Sequence, residues 1–400
     1  LDIESQRDVN DFHGFDAGDR CLIEIGERLR GEAGEQAIVA RTGGDEFALF
    51  LPAADHESRD DQCARIASVF DPPFRMDSIT IQADAWFGYT ALGATPRPVN
   101  SLLREAELAL FRSRDRSSPH RWTAYSPELD EASHQRIAIT RELRRALDSH
   151  EFELHFHPKV DLASGHLVAG EALIRWQHPR RGLLSPAAFI PIAEQSHLIA
   201  PIGDWALRDA CRRLRDWQDA GLGVVRIAVN VSLIQFTAGN FAASVADAVD
   251  AFGIDPGALT LEITESVFER ESERLLEQLR AIHDLGVHLS LDDFGMGYSS
   301  LLYLQKYPFD EIKVDQGFVR SMLDEEYSRR IVSTVMGLAA ALGANVVAEG
   351  IETTGLRDAL LELGCSVGQG YYFSMPLVAE DFRRLLDGQS ALPLAQAGGE

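Results

Sequence analysis

In the second half of this chain, acidic residues recur at the ends of apolar, strand-like runs. Gly286–Leu291 leads straight into Asp292 and Asp293, ahead of a turn that needs Gly295 and Gly297 for backbone freedom. Two neighbouring carboxylates repel each other, so a site that keeps both ionised usually also holds a cation. The pattern returns along the chain: Glu171 lies within one run, Asn230 ends another, and Glu262 with Glu265 ends a third. Lys313, the pair Glu349 and Glu352, and Gln369 close three more. Taken singly, each is more often a cap or a rim ion pair. As a set they supply four or five carboxylates and an amide oxygen, with no thiolate or histidine cluster. Such a hard, oxygen-lined donor set suits Mg2+ or Mn2+ better than zinc. It has enough ligands for two ions, with one of Asp292 and Asp293 bridging them and the other binding the second. Two ions of this kind hydrolyse phosphoesters by neutralising the phosphate, activating a water and stabilising the leaving oxygen. Lys313 could orient that water or offset phosphate charge. Arg175, four residues after Glu171 and on the same side of a strand, could fork onto a phosphate. The expected chemistry is hydrolysis of a phosphodiester.

The elements that must gather these residues can be read from apolar periodicity. Strand candidates are Phe152–Phe156, Leu167–Ile174, Val224–Val229, Leu259–Ile263, Gly286–Leu291, Glu311–Val314, Ala344–Ala348 and Cys365–Gly368. Helical spacing fits Pro186–Glu194, Trp205–Ala220, Phe241–Phe252, Glu271–Leu285, Tyr327–Leu342 and Thr354–Leu363. This alternation predicts a TIM-like (β/α)8 barrel, whose strand ends converge on one mouth where active sites sit. Its start is irregular, because Asp161–Gly165 reads as a hairpin between the first two strands rather than a crossover. Residues from Leu1 to about Trp122 predict a smaller α/β unit, in which Arg41-Thr42-Gly43-Gly44-Asp45-Glu46 turns between two strands. We therefore expect an α/β domain over residues 1–124, a linker and lead-in helix over 125–150, the barrel over 151–390 and a flexible tail over 391–400.

Composition narrows the function. The chain has 400 residues, 45% of them hydrophobic and 25% charged, which suits a soluble protein with more than one core. Its formal charge of −24 argues against long nucleic acid as a partner, since phosphates want a basic face. No apolar run reaches the roughly 18–20 residues of a membrane span. The four cysteines are scattered, which favours neither zinc nor disulfides and points to a reducing cytoplasm. Leu1-Asp2-Ile3-Glu4 lacks a basic leader and reads as though already inside a strand, so a fragment of a longer polypeptide is expected, with room for a membrane anchor upstream.

Several of these stretches resemble known signatures. Glu171-Ala172-Leu173-Ile174-Arg175-Trp176 is similar to the signature of the EAL family of cyclic di-GMP phosphodiesterases. The resemblance continues through Val229-Asn230-Val231-Ser232, Leu261-Glu262-Ile263-Thr264-Glu265, Asp292-Asp293-Phe294-Gly295, Ile312-Lys313-Val314-Asp315, Ala348-Glu349-Gly350-Ile351-Glu352 and Gly368-Gln369-Gly370-Tyr371. It implies metal ligation by Glu171, Asn230, Glu262, Asp292, Asp293 and Glu349, with two Mg2+ or Mn2+ ions and the linear dinucleotide pGpG as product. It further implies that Lys313 holds the attacking water with Glu349 acting near it, that Leu173, Arg175, Gln369 and Pro376 hold cyclic di-GMP, and that the barrel pairs as a homodimer. Glu265 would brace the loop Asp292–Ser300, with Gly295, Met296 and Ser299 in it, and Glu352 would support the site from behind. His157 stands where the family usually has Gln, which implies altered substrate affinity. Met296 stands where a small residue is usual, which bears on how that loop couples to the metal centre.

Arg41-Thr42-Gly43-Gly44-Asp45-Glu46-Phe47 resembles the signature of the GGDEF diguanylate cyclase family. The resemblance assigns metal carboxylates to Asp2 and Asp45, guanine contacts to Asn10 and Asp19, and phosphate contacts to Arg7 and Arg114, with Gly43, Gly44 and Glu46 completing the motif. The chain departs from that family at Ser5-Gln6, where an aromatic is usual, at Arg114 in place of Lys, and at Ser117-Ser118-Pro119 in place of Gly-Arg-Asn. The expectation is an active cyclic di-GMP phosphodiesterase with a mainly regulatory first domain that binds GTP or GDP or neither. The alternatives are a bifunctional cyclase and phosphodiesterase, or a receptor that holds the dinucleotide without cutting it.

Overall fold

The structure is a computed structural model that describes residues 1–4, 6–52, 57–76, 79–93, 95–114, 120–223, 225–265, 273–295 and 306–388. Met296, Ser299 and the tail 391–400 lie outside the described residues. The chain forms two compact units, Leu1–Ala138 and Ile139–Glu400, and the division falls inside one helix, Pro127–Asp148.

In the first unit the strands are β1 (Asp2–Glu4), β2 (Ile38–Gly43), β3 (Glu46–Phe50), β4 (Phe74–Met76), β5 (Ile79–Ile81), β6 (Asp84–Tyr89) and β7 (Trp122–Ala124). Five of them make a sheet in the order β2-β3-β1-β6-β7, and β4 pairs with β5 alone. The helix Phe15–Ala33 buries Leu22, Ile25 and Leu29 at three- and four-residue spacing, in one cluster with Phe47, Phe70, Phe74 and Phe87. The β2–β3 hairpin turns where Gly44 takes φ +48°, and the Arg41 guanidinium donates to the Gly44 carbonyl oxygen at 2.8 and 2.6 Å.

The second unit holds β8 (Phe152–Asp161), β9 (Leu167–His178), β10 (Gly182–Leu184), β11 (Arg226–Val231), β12 (Leu259–Thr264), β13 (His288–Phe294), β14 (Glu311–Val314), β15 (Asn345–Ala348), β16 (Val367–Gly368) and β17 (Leu377–Val378). Eight of these close into a barrel in the order β8-β9-β11-β12-β13-β14-β15-β16, with β16 pairing back onto β8. Within the barrel, β9, β11, β12, β13, β14, β15 and β16 run parallel. β8 is antiparallel to both of its neighbours, the irregular start expected from the hairpin at Asp161–Gly165. The parallel strands are apolar nearly throughout, as strands covered on both faces must be: Leu259, Leu261 and Ile263 of β12 are buried, and so are Leu289 and Leu291 of β13.

Two strand ends differ from expectation in a way that concerns chemistry. β11 extends to Val231 and β13 to Phe294, so Asn230 and the pair Asp292 and Asp293 belong to the strands rather than to the loops after them. Polarity at these positions hid the strand ends, whereas Asn230 and Asp292 still pair with the neighbouring strand β12.

The helix Ala379–Gly388, which apolar periodicity did not single out, seals the wall where β8 and β9 meet. Its Phe382 is fully buried, with ring centroids 5.4 Å from both Phe156 and Trp217, over Gly170, where a Cβ would lie 2.6 Å from the Phe382 ring. Phe382→Ala is expected to cost about 3–5 kcal/mol by urea unfolding, the usual range for emptying a buried aromatic site; a loss below about 1 kcal/mol would show that this helix does not seal the core.

Candidate functional site

The barrel brings the separated acids together around one ammonium. Lys313 is 1% exposed, and its Nζ lies 2.7 Å from Glu349 Oε1, 2.9 Å from Glu262 Oε2, 3.0 Å from Asp292 Oδ1 and 3.7 Å from Glu171 Oε2. Two amides complete the cluster. Asn230 Nδ2 donates to Glu171 Oε1 at 2.7 Å, and Gln369 Nε2 donates to Glu171 Oε2 at 2.6 Å and to Glu349 Oε1 at 3.0 Å. Gln369 Oε1 is buried and has no hydrogen-bond partner.

Adjacent strand residues point to opposite faces, so Asp292 and Asp293 should not reach the same place. They do, because Asp293 takes φ +54°, a left-handed conformation that Asp tolerates better than most residues. The β13–β14 register shifts at this point, and one carboxylate oxygen each from Asp292, Asp293 and Glu349 lie within 4.8 Å of one another. The Asp293 N–H donates to Asp292 Oδ1 at 2.9 Å, which ties the kink to the neighbouring acid. Gly295 follows at φ +102°, where a Cβ would meet the Phe318 ring at 3.0 Å, and its N–H donates to Glu265 Oε2 at 3.1 Å. Glu265 therefore holds the start of the loop that leaves β13. Glu352 stands further out, paired with Arg320 at 2.6 Å.

The electrostatics are those of a site with too much negative charge. Glu171 is held down to about 2, since the cost of burial is outweighed by Lys313, Lys159 and the two amides. Burial and the Glu171 charge push Glu262 up to about 8, which its two lysine neighbours only partly offset. Burial and the neighbouring Asp292 push Asp293 up to about 6, and burial carries Glu349 to about 7 against the pull of Lys313. Lys313 itself lies well above its ordinary value, because the surrounding carboxylates more than repay its burial. Six carboxylates, counting Glu311 beside Lys159, thus face only two ammoniums. The hard-oxygen donors, the charge excess and the orphaned Gln369 oxygen fit one or more divalent cations.

A cavity of about 230 Å3 opens beside this cluster. His157, Leu173, Arg175, Gln369 and Pro376 all line it, as do three residues that sequence reasoning passed over, Gln316, Arg320 and Tyr371. A second and more apolar cavity of about 860 Å3 shares Glu171, Leu173 and Gln316 with the first. His157 is buried, which lowers its pKa, and its Nε2 lies 3.1 Å from the Ser374 carbonyl oxygen, so its N–H serves the loop that carries Tyr371 and Pro376. Lys159 and Glu311, both part of the buried charge network, were also missed. A lysine inside the apolar strand Phe152–Asp161, two residues from His157 and on its face, was the available signal.

In the first unit, Asp2 of β1 sits opposite Glu46 of β3, and its carboxylate pairs with Arg114. Burial raises the Asp2 pKa, with Arg114 opposing the shift and Asp45 adding to it. Gly43 ends β2, and Gly44 and Asp45 make the turn before Glu46. The Asn10 backbone carbonyl accepts from the Gly14 N–H at 2.9 Å, and Asp19 is exposed on the helix Phe15–Ala33. Arg7 belongs to the helix Gln6–His13, with its side chain outside the described residues, as are Ser5, Ser117, Ser118 and Pro119.

Because Asp293, Glu349 and Glu262 would have to give up protons to hold a cation, Mn2+ affinity is expected to rise with pH through about 6 to 8, with protons released on binding. Calorimetry at about pH 5.5 and about pH 8, in buffers of different ionisation enthalpy, reads both effects. Equal affinity at the two pH values without proton release would contradict this picture of the acids.

Residues 140–376 match the EAL domain family, and residues 1–118 match the family described as diguanylate cyclase, GGDEF domain. The bifunctional diguanylate cyclase/cyclic di-GMP phosphodiesterase MucR of Pseudomonas aeruginosa is 34% identical over 380 residues, covering 95% of this chain and 55% of that protein. The cyclic di-GMP phosphodiesterase NbdA of the same organism is 35% identical over 398 residues, covering 98% of this chain and 51% of that one. The chain therefore spans about half the length of these curated relatives. Among solved structures, the PaMucR phosphodiesterase in complex with c-di-GMP superposes with a TM-score of 0.59 at 40% identity, over 61% of this chain and 99% of that one. The cGMP-bound EAL enzyme Bd1971 gives a TM-score of 0.60 at 32% identity, over 74% and 77%. No helix among the described residues is long and apolar enough to cross a membrane. The chain belongs to the EAL domain family, with a GGDEF domain preceding the EAL barrel.

Proposed function

We propose that the barrel hydrolyses cyclic di-GMP to pGpG and that the first unit mainly regulates it. The observation that carries this reading is the cluster of Asp292, Asp293 and Glu349 around Lys313, beside a cavity that Arg175 lines. Relatives named for cyclic di-GMP phosphodiesterase activity support the choice of substrate.

Glu171, Asn230, Glu262, Asp292, Asp293 and Glu349 would hold Mg2+ or Mn2+, which supply Lewis-acid stabilisation of phosphate charge and an acidified water. The rest follows from the side chains. Arg175 stays charged although burial lowers its pKa, and its planar fork matches two phosphate oxygens. Lys313 is too tightly held by carboxylates to act as a base, so it serves as a donor that orients the attacking water. Glu349, 2.7 Å from Lys313 in the same cluster, is the carboxylate placed to take the proton of that water. The water oxygen bonds to phosphorus, the bond from phosphorus to one ribose oxygen breaks, and that oxygen takes a proton from solvent and leaves as a hydroxyl; the proton on Glu349 returns to solvent, so one water is consumed per linkage cut.

The test is incubation with cyclic di-GMP and Mg2+ or Mn2+, following pGpG by chromatography. Glu171→Ala is expected to lower the rate at least about 100-fold, the size of a lost Lewis-acid contribution of a few kcal/mol. Ca2+ is expected to inhibit, being too large and too loosely coordinated for a tight two-ion site. Intact substrate after long incubation with either metal, while binding is measurable, would leave the receptor reading in place.

For the first unit, the pairing of Arg114 with Asp2 occupies a cation on the acid that would hold metal, which favours regulation over cyclase activity. The bifunctional alternative draws support from the relative named as a bifunctional diguanylate cyclase. GTP with Mg2+ separates the two: regulation predicts an altered hydrolysis rate and no cyclic product, and accumulation of cyclic di-GMP would establish the bifunctional reading. The same reading has the barrel working as a homodimer, which sedimentation of the full chain tests.

A further inference from the structure

Behind the acids of the mouth lies a second buried ammonium that the hydrolytic reading does not use. Lys159 of β8 is 2% exposed and lines neither cavity. Its Nζ donates to Glu262 Oε1 at 2.8 Å and to Glu311 Oε1 at 2.9 Å, and Ser290 Oγ donates to that same Glu311 oxygen at 3.0 Å. The other oxygen of Glu262, Oε2, accepts from Lys313 at 2.9 Å. Glu262 is thus clamped between two ammoniums, one shared with the catalytic acids and one anchored away from them. Glu262, Ser290 and Glu311 are successive register partners across β12, β13 and β14, so they form one row of the barrel interior.

We propose that Lys159 is a positioning residue for the hydrolytic centre. Together with Ser290 and Glu311 it fixes Glu262 Oε1, so that the Oε2 edge of this carboxylate is presented toward Lys313 and Asp292. A buried ion pair is a poor source of stability, since apolar residues of similar volume often serve as well. What this one provides is orientation, as outer partners of metal-binding carboxylates do. The assignment rests on the reading of the mouth as a divalent-cation site.

The test uses the full chain and two variants, Lys159→Met and the double variant Lys159→Met with Glu311→Gln. The double variant removes both buried charges and leaves Ser290 a partner, so it is expected to keep the thermal midpoint of the parent even where Lys159→Met alone is destabilised by the unpaired Glu311. Mn2+ binding is read from the electron paramagnetic resonance signal of the free ion, and steady-state kinetics are run alongside. The double variant is expected to bind Mn2+ about 10–100-fold more weakly, the usual effect of losing such a partner. Its kcat should fall while KM for cyclic di-GMP holds, because Lys159 touches neither cavity. Parent-like Mn2+ affinity in a folded double variant would overturn the proposal, leaving Lys159 as a counter-charge for Glu311 alone. Failure of the unaltered chain to bind Mn2+ would instead overturn the reading of the mouth, and the role of Lys159 with it.

Discussion

One buried ammonium makes the rest of the barrel interior possible. Four carboxylates, from Glu171, Glu262, Asp292 and Glu349, approach Lys313 Nζ within 3.7 Å in an interior of low effective dielectric, where unpaired charge is costly. Without that cation the acids would protonate or the strands would part. With it they stay close, yet still outnumber the positive groups. The barrel is the means of gathering them, since Glu171, Glu262, Asp292 and Lys313 come from four different strands and Glu349 directly follows a fifth, so none could meet another locally.

The second constraint is in the backbone. A strand presents every other side chain to one side, so two consecutive acids would ordinarily face away from each other. The left-handed turn at Asp293 breaks that alternation at the one place where two acids are wanted together. Strain of this kind persists only where the surroundings fix it. Here the fixing comes from the Asp293 N–H held by Asp292 and from the Gly295 N–H held by Glu265.

Much of this arrangement was legible in the sequence because apolar runs ending in acids carry two signals at once, the strand and its functional tip. The eight-strand alternation and the antiparallel first hairpin could be read from spacing alone, and the family followed from the motifs at the strand ends. Lys159 and Glu311 were not read, for a physical reason: each is a charged residue whose partner is remote in sequence, and the one local signal was a lysine set in the apolar strand β8. The placement of His157 against Ser374, and the kink at Asp293, depend on tertiary packing and on one φ angle, which residue type only permits. Two strands were ended too early, at Val229 and Leu291, because the polar residues that follow resemble loop.

The antiparallel strand β8 has a consequence for how the protein comes to be folded at all. It closes the barrel by pairing with β16, which lies near the other end of the unit. The contacts that complete the centre are of the same long-range kind: Lys159 to Glu311 spans 152 residues, and Gln369 to Glu171 spans 198. Chains dominated by such distant contacts pay loop-closure entropy before they gain packing, and they fold slowly. The carboxylate cluster therefore exists only once closure is complete, and a divalent cation that binds the closed barrel but not the open chain draws the equilibrium toward closure by mass action. Supply of a cation that the closed site holds would then bear on how long the barrel stays folded.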